Sequence, residues 1–202
     1  MTTVITAPVV APDPIDTARL RLRFVTEADL PDLLRINGVD EVTRYLPYAT
    51  WQTLADAEAW YGRVLKRHEE GSAMQFVLAD KASGTVVGTC LLFRFEPDNG
   101  AAEIGYALGR PHWGTGVMRE GLNALIDHAF GPLALRRLEA HVDPRNLASH
   151  QLLLRLGFTH EGMLRQRWVM KGEVKDSNVY SLLRHEWPAA AKTAGALTAS
   201  AA

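Results

Sequence analysis

Two glycines separated by one residue, Gly114 and Gly116, stand between a stretch with strand character and a stretch with helix character. The preceding stretch, Ala101–Leu108, is a continuous run of apolar and small residues with a single carboxylate. From Val117 to Gly131, apolar residues recur at the three- or four-residue spacing of an amphipathic helix. Glycine accepts backbone angles that other residues avoid, so the pair lets the chain turn sharply. The sequence therefore predicts a strand–loop–helix unit here.

The same loop has the chemistry of an anion-binding site. A helix that begins at Val117 leaves its first backbone N–H groups unpaired, and they point back toward the glycines. That end carries roughly half a positive charge, which favours a phosphate or pyrophosphate. We expect the loop to hold the pyrophosphate of a nucleotide-like cofactor; a tight turn without a ligand is the alternative. Two other nucleotide loops are excluded, because no Lys-Ser or Lys-Thr pair follows Gly116 and Arg119 replaces the last glycine of the dinucleotide fingerprint.

The composition is that of an ordinary globular domain. The 202 residues are 47% hydrophobic and 22% charged, with a formal net charge of -1. Nucleic-acid binding needs a clustered basic excess, so no nucleic acid is expected as a partner. No apolar run approaches the roughly 18–20 residues that span a bilayer, so no membrane is expected either, and we expect a cytoplasmic protein. We expect a flexible leader over 1–17, one domain over 18–188 and a disordered tail over 189–202.

The cysteine and the histidines carry no disulfide or metal signal. The single cysteine, Cys90, excludes an internal disulfide. It lies in an apolar run, so a buried strand thiol is a better interpretation than a catalytic one. The 7 histidines are scattered without the spacing of metal ligands, so we predict no metal site.

The remaining patterns predict a mixed α/β domain. Two early helices begin with capping-box signatures, Thr26 with Asp29 and Thr53 with Asp56. Asp40–Trp51, between them, is predicted to be irregular. Antiparallel strands follow, and the order after the loop does not suit a doubly wound parallel sheet. The predicted strands are Arg19–Phe24, Met74–Ala79, Val86–Phe95, Ala101–Leu108, Arg137–Val142, Phe158–Glu161, Leu164–Met170 and Val174–Leu183.

The strand before the loop carries an isolated carboxylate. Glu103 shares one face of Ala101–Leu108 with small residues, whereas the other face is apolar and is predicted to meet the core. Small side chains in a strand often mark the close approach of a ligand or of another backbone. Glu103 is therefore a candidate for a groove that leads to the glycine loop. A solvent-facing glutamate is the alternative.

A second polar pair lies at the start of another predicted helix, Leu147–Leu156. Asn146 is a good N-cap residue, and Ser149 occupies the third helical position. A helix cap without a further role is one interpretation. The other places this helix start and the glycine loop on two sides of one cleft.

Taken together, these motifs resemble the GNAT acyl-CoA N-acyltransferases, and more closely their RimJ/RimL-like branch of ribosomal-protein N-terminal acetyltransferases. The motifs are A-E-I-G-Y at 102–106, W-G-T-G at 113–116, N-L-A-S at 146–149 and L-G-F at 156–158. Further residues typical of that branch are Tyr45-Leu46-Pro47, Trp51, Glu161-Gly162, Lys175-Asp176 and Tyr180-Ser181. The resemblance covers about Arg19 to Trp187. It implies a mostly antiparallel mixed sheet of about seven strands flanked by about four helices.

The resemblance implies acetyl-CoA as the donor cosubstrate. Its pyrophosphate would bind the loop backbone, and its pantetheine arm would pair with the strand edge at Tyr106–Leu108 as an added strand. Asn146 and Ser149 would contact the arm near the thioester. The remaining phosphates would meet one or more of Arg110, Arg119, Arg145 and Arg155. The implied cofactor-binding residues are Tyr106, Ala107, Leu108, Trp113, Gly114, Thr115, Gly116, Val117, Met118 and Asn146.

Two positions depart from the family pattern. Pro111 stands where the Q/R-x-x-G-x-G/A signature has Gln or Arg, although backbone contacts to the cofactor would remain. Leu153 stands where many members carry a tyrosine that protonates the leaving thiolate. In the RimL-like branch a serine at the position of Ser149 is proposed for that role, and Ser149 is present.

The implied reaction is direct attack of a neutral amine on the thioester in a ternary complex, without an acyl-enzyme. An α-amino group is about 10% neutral at pH 7 and a lysine below roughly 0.1%, so a base assists both. Glu103 is the candidate base, since partial burial makes a carboxylate more basic, and Glu96 is the second choice. Backbone N–H groups near Tyr106–Leu108 would stabilise the oxyanion. Ser149 is the candidate acid for the departing thiolate.

The acceptor is left open. The branch resemblance favours a protein N-terminal α-amine, and a small-molecule amine is the alternative. Asp40–Trp51 and the hairpin near Gly172 would wall the acceptor site, or their aromatic residues could belong to the core. The competing function is a GNAT-fold sensor or scaffold that binds acyl-CoA without turnover. A homodimer is left open as the assembly.

Overall fold

The computed structural model describes residues 11–188. Its strands are β1 (Ile15–Asp16), β2 (Leu20–Phe24), β3 (Ala73–Asp80), β4 (Val86–Glu96), β5 (Ala101–Leu108), β6 (Arg137–Val142), β7 (Thr159–Met170) and β8 (Glu173–Leu183). Its α-helices are α1 (Leu30–Asn37), α2 (Asp40–Thr43), α3 (Leu54–Glu69), α4 (Val117–Phe130) and α5 (Leu147–Arg155).

All eight of these strands form one sheet, in the order β1-β2-β3-β4-β5-β6-β8-β7. Neighbouring strands are antiparallel, apart from β5 and β6, which are parallel. The predicted class, a mixed α/β domain with a mostly antiparallel sheet, is confirmed.

The elements around the glycine loop have the predicted bounds, and three details elsewhere differ. β1 lies inside the predicted leader, and α2 forms in the segment predicted to be irregular. Two predicted strands are one strand, β7, whose pairing with β8 is irregular near Gly162 and between Leu164 and Trp168. A two-residue strand and a one-turn helix are too short to produce a periodic pattern. Residues 1–10 of the predicted leader and the whole predicted tail lie outside the described residues.

Helices cover both faces of the sheet. α1 and α3 pack on one face, which we call the α1/α3 face, through a cluster that includes Leu33, Val64 and Val77. α4 and α5 pack on the other, the α4/α5 face, through a larger cluster that includes Leu122 and Leu153. Side chains alternate along a strand, so β3 supplies both clusters, with Phe76 on the α4/α5 face and Val77 on the α1/α3 face.

The two predicted capping boxes are confirmed. In the first, Oδ2 of Asp29 accepts hydrogen bonds from the backbone N–H of Thr26 at 2.8 Å and from Nη1 of Arg23 at 2.7 Å. The second guanidinium nitrogen of Arg23 donates to Oδ1 at 2.6 Å. The carboxylate thus ties β2 to the turn that leads into α1.

β5 and β6 separate soon after they pair. The pairing joins Ala101–Glu103 to Arg137–Glu139, and within residues 11–188 no strand pairs with the same edge of β5 beyond Glu103. β6 stays paired with β8, on its other edge, along its whole length. The backbone edge of Ile104–Leu108 therefore borders a gap in the sheet, and that gap positions the candidate site.

Candidate active site

The glycine loop lies directly between β5 and α4. Gly114 and Gly116 have φ values of 76° and 79°, a left-handed conformation that side chains other than glycine strain to adopt. The first helical hydrogen bond runs from the N–H of Glu120 to the carbonyl of Gly116 at 3.0 Å. The N–H groups of Val117, Met118 and Arg119 precede that bond and face the loop. The predicted helix start at Val117 is confirmed, and anion binding there stays a prediction.

Side chains within the loop hold its shape. Nε1 of Trp113 donates to the carbonyl of Leu108 at 2.8 Å, and the hydroxyl of Thr115 donates to the carbonyl of His112 at 2.7 Å. The guanidinium of Arg110 lies over the Trp113 ring, 4.8 Å from its centroid. With these side chains directed at the protein, the loop backbone is the part that remains available for a ligand.

An arginine from the other end of the chain also holds the loop, and the sequence patterns did not indicate it. Arg19 donates from Nη1 to the carbonyl of Thr115 at 3.1 Å and from Nε to Oε2 of Glu120 at 2.6 Å. Oε1 of Glu120 accepts from the hydroxyl of Thr17 at 2.6 Å. Burial raises the pKa of Glu120, but these hydrogen bonds outweigh it and leave the pKa below its ordinary value. The glutamate thus stays ionised and anchors Arg19 against α4.

Glu103 is mostly buried and is ion-paired. Its Oε2 accepts from Nη1 of Arg94 at 2.8 Å, and its side chain is 12% exposed. Arg94 has φ 49° at an irregular point of β4, and its guanidinium stacks on the ring of Trp168 at 4.7 Å. Glu103 is therefore not the free, solvent-facing glutamate of the alternative interpretation.

The small residue beside Glu103 is explained by packing. A Cβ atom added at Gly105 would lie 2.7 Å from Cδ2 of Leu91, the residue that faces it on β4. The close approach expected for this face of β5 is thus made at Gly105 by a neighbouring side chain, and no ligand is needed to account for it.

Ser149 lies on the opposite face of the sheet from Glu103. Its backbone N–H donates to Oδ1 of Asn146 at 3.2 Å, which confirms Asn146 as the N-cap of α5. Its hydroxyl is 2.7 Å from the hydroxyl of Tyr106, whose side chain leaves β5 on the α4/α5 face. Burial raises the pKa of Tyr106 to about 12, although its hydrogen bond with Ser149 lowers it in part. The two predicted catalytic side chains therefore lie on opposite faces of the sheet, near the point where β5 and β6 separate.

An aromatic cluster stands behind Ser149. The hydroxyl of Tyr180, a fully buried side chain of β8, hydrogen-bonds Nδ1 of His150. The rings of His150 and His160 lie 5.6 Å and 5.0 Å from the Tyr180 ring. Burial raises the pKa of Tyr180. The sequence placed Tyr180 in a family motif but assigned it no neighbour, because the contact joins residues 30 positions apart.

The segment predicted to wall the acceptor site is tied to the loops around the gap. The hydroxyl of Tyr45 donates to the carbonyl of Arg145 at 3.2 Å, and Nζ of Lys171 donates to the carbonyl of Thr43 at 2.7 Å. Tyr48 and Trp51 instead pack into the α1/α3 cluster. Tyr48 and Trp51 therefore belong to the core, which was the second of the two interpretations of these aromatic residues.

The other candidates take no part in the gap. Cys90 is fully buried, and burial raises the pKa of its thiol. Glu96, the second choice for a base, is exposed and accepts from Nδ2 of Asn99 at 2.8 Å. Arg145 pairs with Asp143 at 2.7 Å, whereas Arg119 lines an open groove beside Gly116.

Residues 11–188 contain neither a group of metal ligands nor a membrane-spanning helix. No group of three or more His, Cys, Asp or Glu side chains there could hold a metal ion. No helix in the same range is long and apolar enough to cross a membrane. Cellular location, assembly and the outer domain limits stay predictions from the sequence.

Comparison with known proteins decides the family. The acetyltransferase (GNAT) domain family matches residues 19–159. The chain belongs to the GNAT acetyltransferases. Protein p20 of Bacillus licheniformis, described as an uncharacterised N-acetyltransferase, is 37% identical over 171 residues, which are 85% of this chain and 96% of p20.

Other GNAT relatives point to the expected branch. The ribosomal-protein-serine acetyltransferase of Escherichia coli (strain K12) is 35% identical over 114 residues, which are 56% of this chain and 63% of that protein. RimJ of Mycobacterium smegmatis, solved in complex with CoA-disulfide, has a TM-score of 0.79 and 24% identity, with 88% of this chain and 90% of RimJ covered. At that identity the likeness supports the fold alone. The predicted RimJ/RimL-like resemblance is confirmed, and with it an enzyme of the N-acetyltransferase class, whose members use acetyl-CoA.

Proposed function

We propose that the protein transfers the acetyl group of acetyl-CoA to the N-terminal α-amine of a polypeptide, by direct attack in a ternary complex. The observation that carries the proposal is the gap between β5 and β6, which ends at the glycine loop and has Glu103 and Ser149 on opposite faces of the sheet. This arrangement suits a donor that enters from one face and an acceptor that enters from the other.

The donor fits the gap in an extended form. Its pyrophosphate would bind the N–H groups at the start of α4, and its pantetheine arm would add to the backbone edge of Tyr106–Leu108. An arm held on that edge runs past Asn146 and Ser149. The thioester would then lie at the level where β5 and β6 separate, beyond Glu103.

The chemistry divides between the two faces. The neutral amine attacks the thioester carbonyl, the N–C bond forms, and the C–S bond breaks with its electron pair on sulfur. Glu103, which pairs with Arg94, accepts the proton that leaves the nitrogen, directly or through water. Ser149 donates to the sulfur. Backbone N–H groups of the β5 edge stabilise the developing oxyanion.

The charges near Glu103 favour a single amine over a polyamine. Arg94 pairs with Glu103, and Arg137 pairs with Glu139 at 2.7 Å and with Glu161 at 2.6 Å. A polyamine carries several positive charges and is best recognised by carboxylates that no arginine neutralises. An α-amine reacts in its neutral form and needs no such surplus of negative charge.

A free-thiol release assay with acetyl-CoA tests the function. The acceptor panel holds a lysine-free peptide with a free N-terminus, a peptide with a blocked N-terminus and one lysine, spermidine, free amino acids and an aminoglycoside. We expect rapid release with the free α-amine and little with the blocked peptide. Faster release with spermidine would overturn the acceptor assignment. Tight acetyl-CoA binding without release above hydrolysis would favour the sensor or scaffold instead.

A further inference from the structure

The hydroxyl pair of Tyr106 and Ser149 crosses from β5 to α5 beside the gap in the sheet. The two oxygens are 2.7 Å apart, and either could be the donor. Each hydroxyl has one proton to donate, so the direction of this bond decides whether the proton of Ser149 is available for another partner.

We propose that Tyr106 is a positioning residue for Ser149: its phenol donates to Oγ of Ser149 and leaves the serine proton directed at the thioester sulfur. The inference rests on the proposed function, because it assumes that CoA occupies the gap.

The partners within reach of each hydroxyl determine the direction of the bond. Among the described residues, the Tyr106 hydroxyl has no hydrogen-bond partner other than Ser149. The Tyr106 ring packs against the α4/α5 cluster, so a phenol that accepted from Ser149 would leave its own proton without a protein acceptor there, which is costly. Ser149 is half-buried, as Tyr106 is, but it lies at the start of α5, where its proton would be free for a ligand in the gap. Burial also raises the pKa of Tyr106 to about 12, which keeps the phenol protonated at neutral pH.

The two residues have separate anchors. Tyr106 packs against the α4/α5 cluster, and the backbone N–H of Ser149 is held by the Asn146 cap at 3.2 Å. The serine oxygen is thus fixed by its helix on one side and by the phenol on the other. A hydroxyl that accepts one hydrogen bond also becomes a stronger donor in the next.

The role in the reaction follows from this direction. When the C–S bond breaks, the electron pair stays on sulfur, and Ser149 donates to the thiolate. The hydrogen bond from Tyr106 then stabilises the partial negative charge that develops on the serine oxygen. Solvent restores the serine proton, and the proton lost by the amine leaves through Glu103.

The test measures the thiol pKa of bound CoA, from the ultraviolet absorbance of its thiolate, and needs no acceptor. A donor aimed at sulfur stabilises the thiolate, so we expect a pKa below that of free CoA in the wild type. Tyr106→Phe and Ser149→Ala should each raise the thiol pKa of bound CoA toward that of free CoA. The double variant should raise it no further. Tyr61→Phe, on α3, is the matched control and should have no effect.

Rates then check the same coupling with an active acceptor. Tyr106→Phe should lower kcat about tenfold with little change in the KM for acetyl-CoA, and should have no effect in the Ser149→Ala background. A fluorinated tyrosine at 106, which acidifies the phenol without changing its shape, should lower the thiol pKa further. It provides the test if the phenylalanine variant does not fold.

The outcomes separate this inference from the function on which it rests. A wild-type thiol pKa in Tyr106→Phe, or equal effects in both Ser149 backgrounds, would overturn the positioning role even if amines are acetylated. A shifted pKa without acetylation of any amine would overturn the proposed function and leave the positioning role supported. CoA that does not bind would overturn both.

Discussion

At the scale of single residues, the candidate base Glu103 shows what a sequence motif can and cannot predict. The sequence singles out Glu103 as the one carboxylate among small residues, and the structure places it at the gap. Arg94, its partner, carries no such signal, because its approach depends on an irregular turn of β4 that gives it φ 49°. The carboxylate is recognisable from its pattern, but its ion pair with Arg94 is not.

Glu103→Gln should lower kcat about 100-fold and leave the KM for acetyl-CoA little changed, since glutamine keeps the shape and loses the base. Initial rates over a range of pH measure the effect. Glu96→Gln is the matched variant, because that glutamate is exposed and hydrogen-bonded to Asn99, and it should keep the wild-type rate. If Glu96→Gln lowered kcat and Glu103→Gln did not, Glu96 would be the base instead of Glu103.

At the scale of elements, the start of α4 depends on a residue that precedes β2. The glycines allow the turn. Arg19 stabilises it from outside the loop through its contacts with Glu120 and Thr115, which we call the Arg19 clamp. This clamp joins residues about a hundred positions apart, so no local pattern contains it. The sequence predicts the helix start, and only the packing of β2 beside α4 supplies the clamp.

Arg19→Ala should weaken acetyl-CoA binding about tenfold with little change in kcat, because the loop loses its charged donor. Titration calorimetry with CoA measures the loss. Arg21→Ala is the matched control, as that arginine pairs with Asp16 at 3.0 Å and, within residues 11–188, donates no hydrogen bond to the loop. Equal losses in the two variants would show that general positive charge, and not the clamp, supports binding.

The turn before α1 makes a separate contribution to stability. Burial raises the pKa of Asp29, but its hydrogen bonds to Arg23 and Thr26 outweigh that effect and leave the pKa below its ordinary value. Asp29→Asn should lower the free energy of unfolding by about 2 kcal/mol at pH 7, through loss of the ion pair and the cap. Urea unfolding measures this loss of stability. Glu58→Gln, at an exposed position of α3, is the control.

The pH dependence of that difference follows from the direction of the shift. A carboxylate with a depressed pKa stabilises the fold above the pKa of the unfolded state, about 4, and the contribution is lost as pH falls through the folded pKa. The difference in free energy of unfolding between the wild type and Asp29→Asn should therefore be largest at neutral pH and shrink in acid below about pH 4. A difference that grows in acid would contradict the assignment.

At the scale of the whole molecule, the separation of β5 from β6 shapes the site. β5 is held along its length by β4, whereas β6 leaves it after three residue pairs to follow β8. The gap therefore arises because β6 stays paired with β8 on one edge while its other edge diverges from β5. A ligand that fills it joins the two halves of the sheet and should stabilise the whole fold.

CoA at about 100 times its Kd should stabilise the protein by about 2.7 kcal/mol and raise Tm by about 5–10 °C. Scanning fluorimetry measures the shift. Pantetheine at the same concentration should give a smaller shift, because it lacks the pyrophosphate that the start of α4 would bind. Equal shifts would place the binding energy outside the glycine loop.

Most of the secondary structure could be predicted, because it follows from local chemistry. Capping boxes, alternating strands and the glycine loop each act within a few residues, and the predicted bounds of β5 and β6 and the start of α4 are confirmed. The misses are β1, α2 and the continuous β7, which pairing and packing create without a periodic signal.

The sequence by itself indicated the family, the loop and the candidate pair Glu103 and Ser149, because each depends on residue types at short spacing. The tertiary structure alone decided that those two side chains lie on opposite faces of the sheet, that Arg94 pairs with one and that Tyr106 hydrogen-bonds the other. These relations join strands and helices that are distant in the chain, and their geometry depends on how the sheet separates. A linear pattern contains the candidate groups, but not the contacts that surround them.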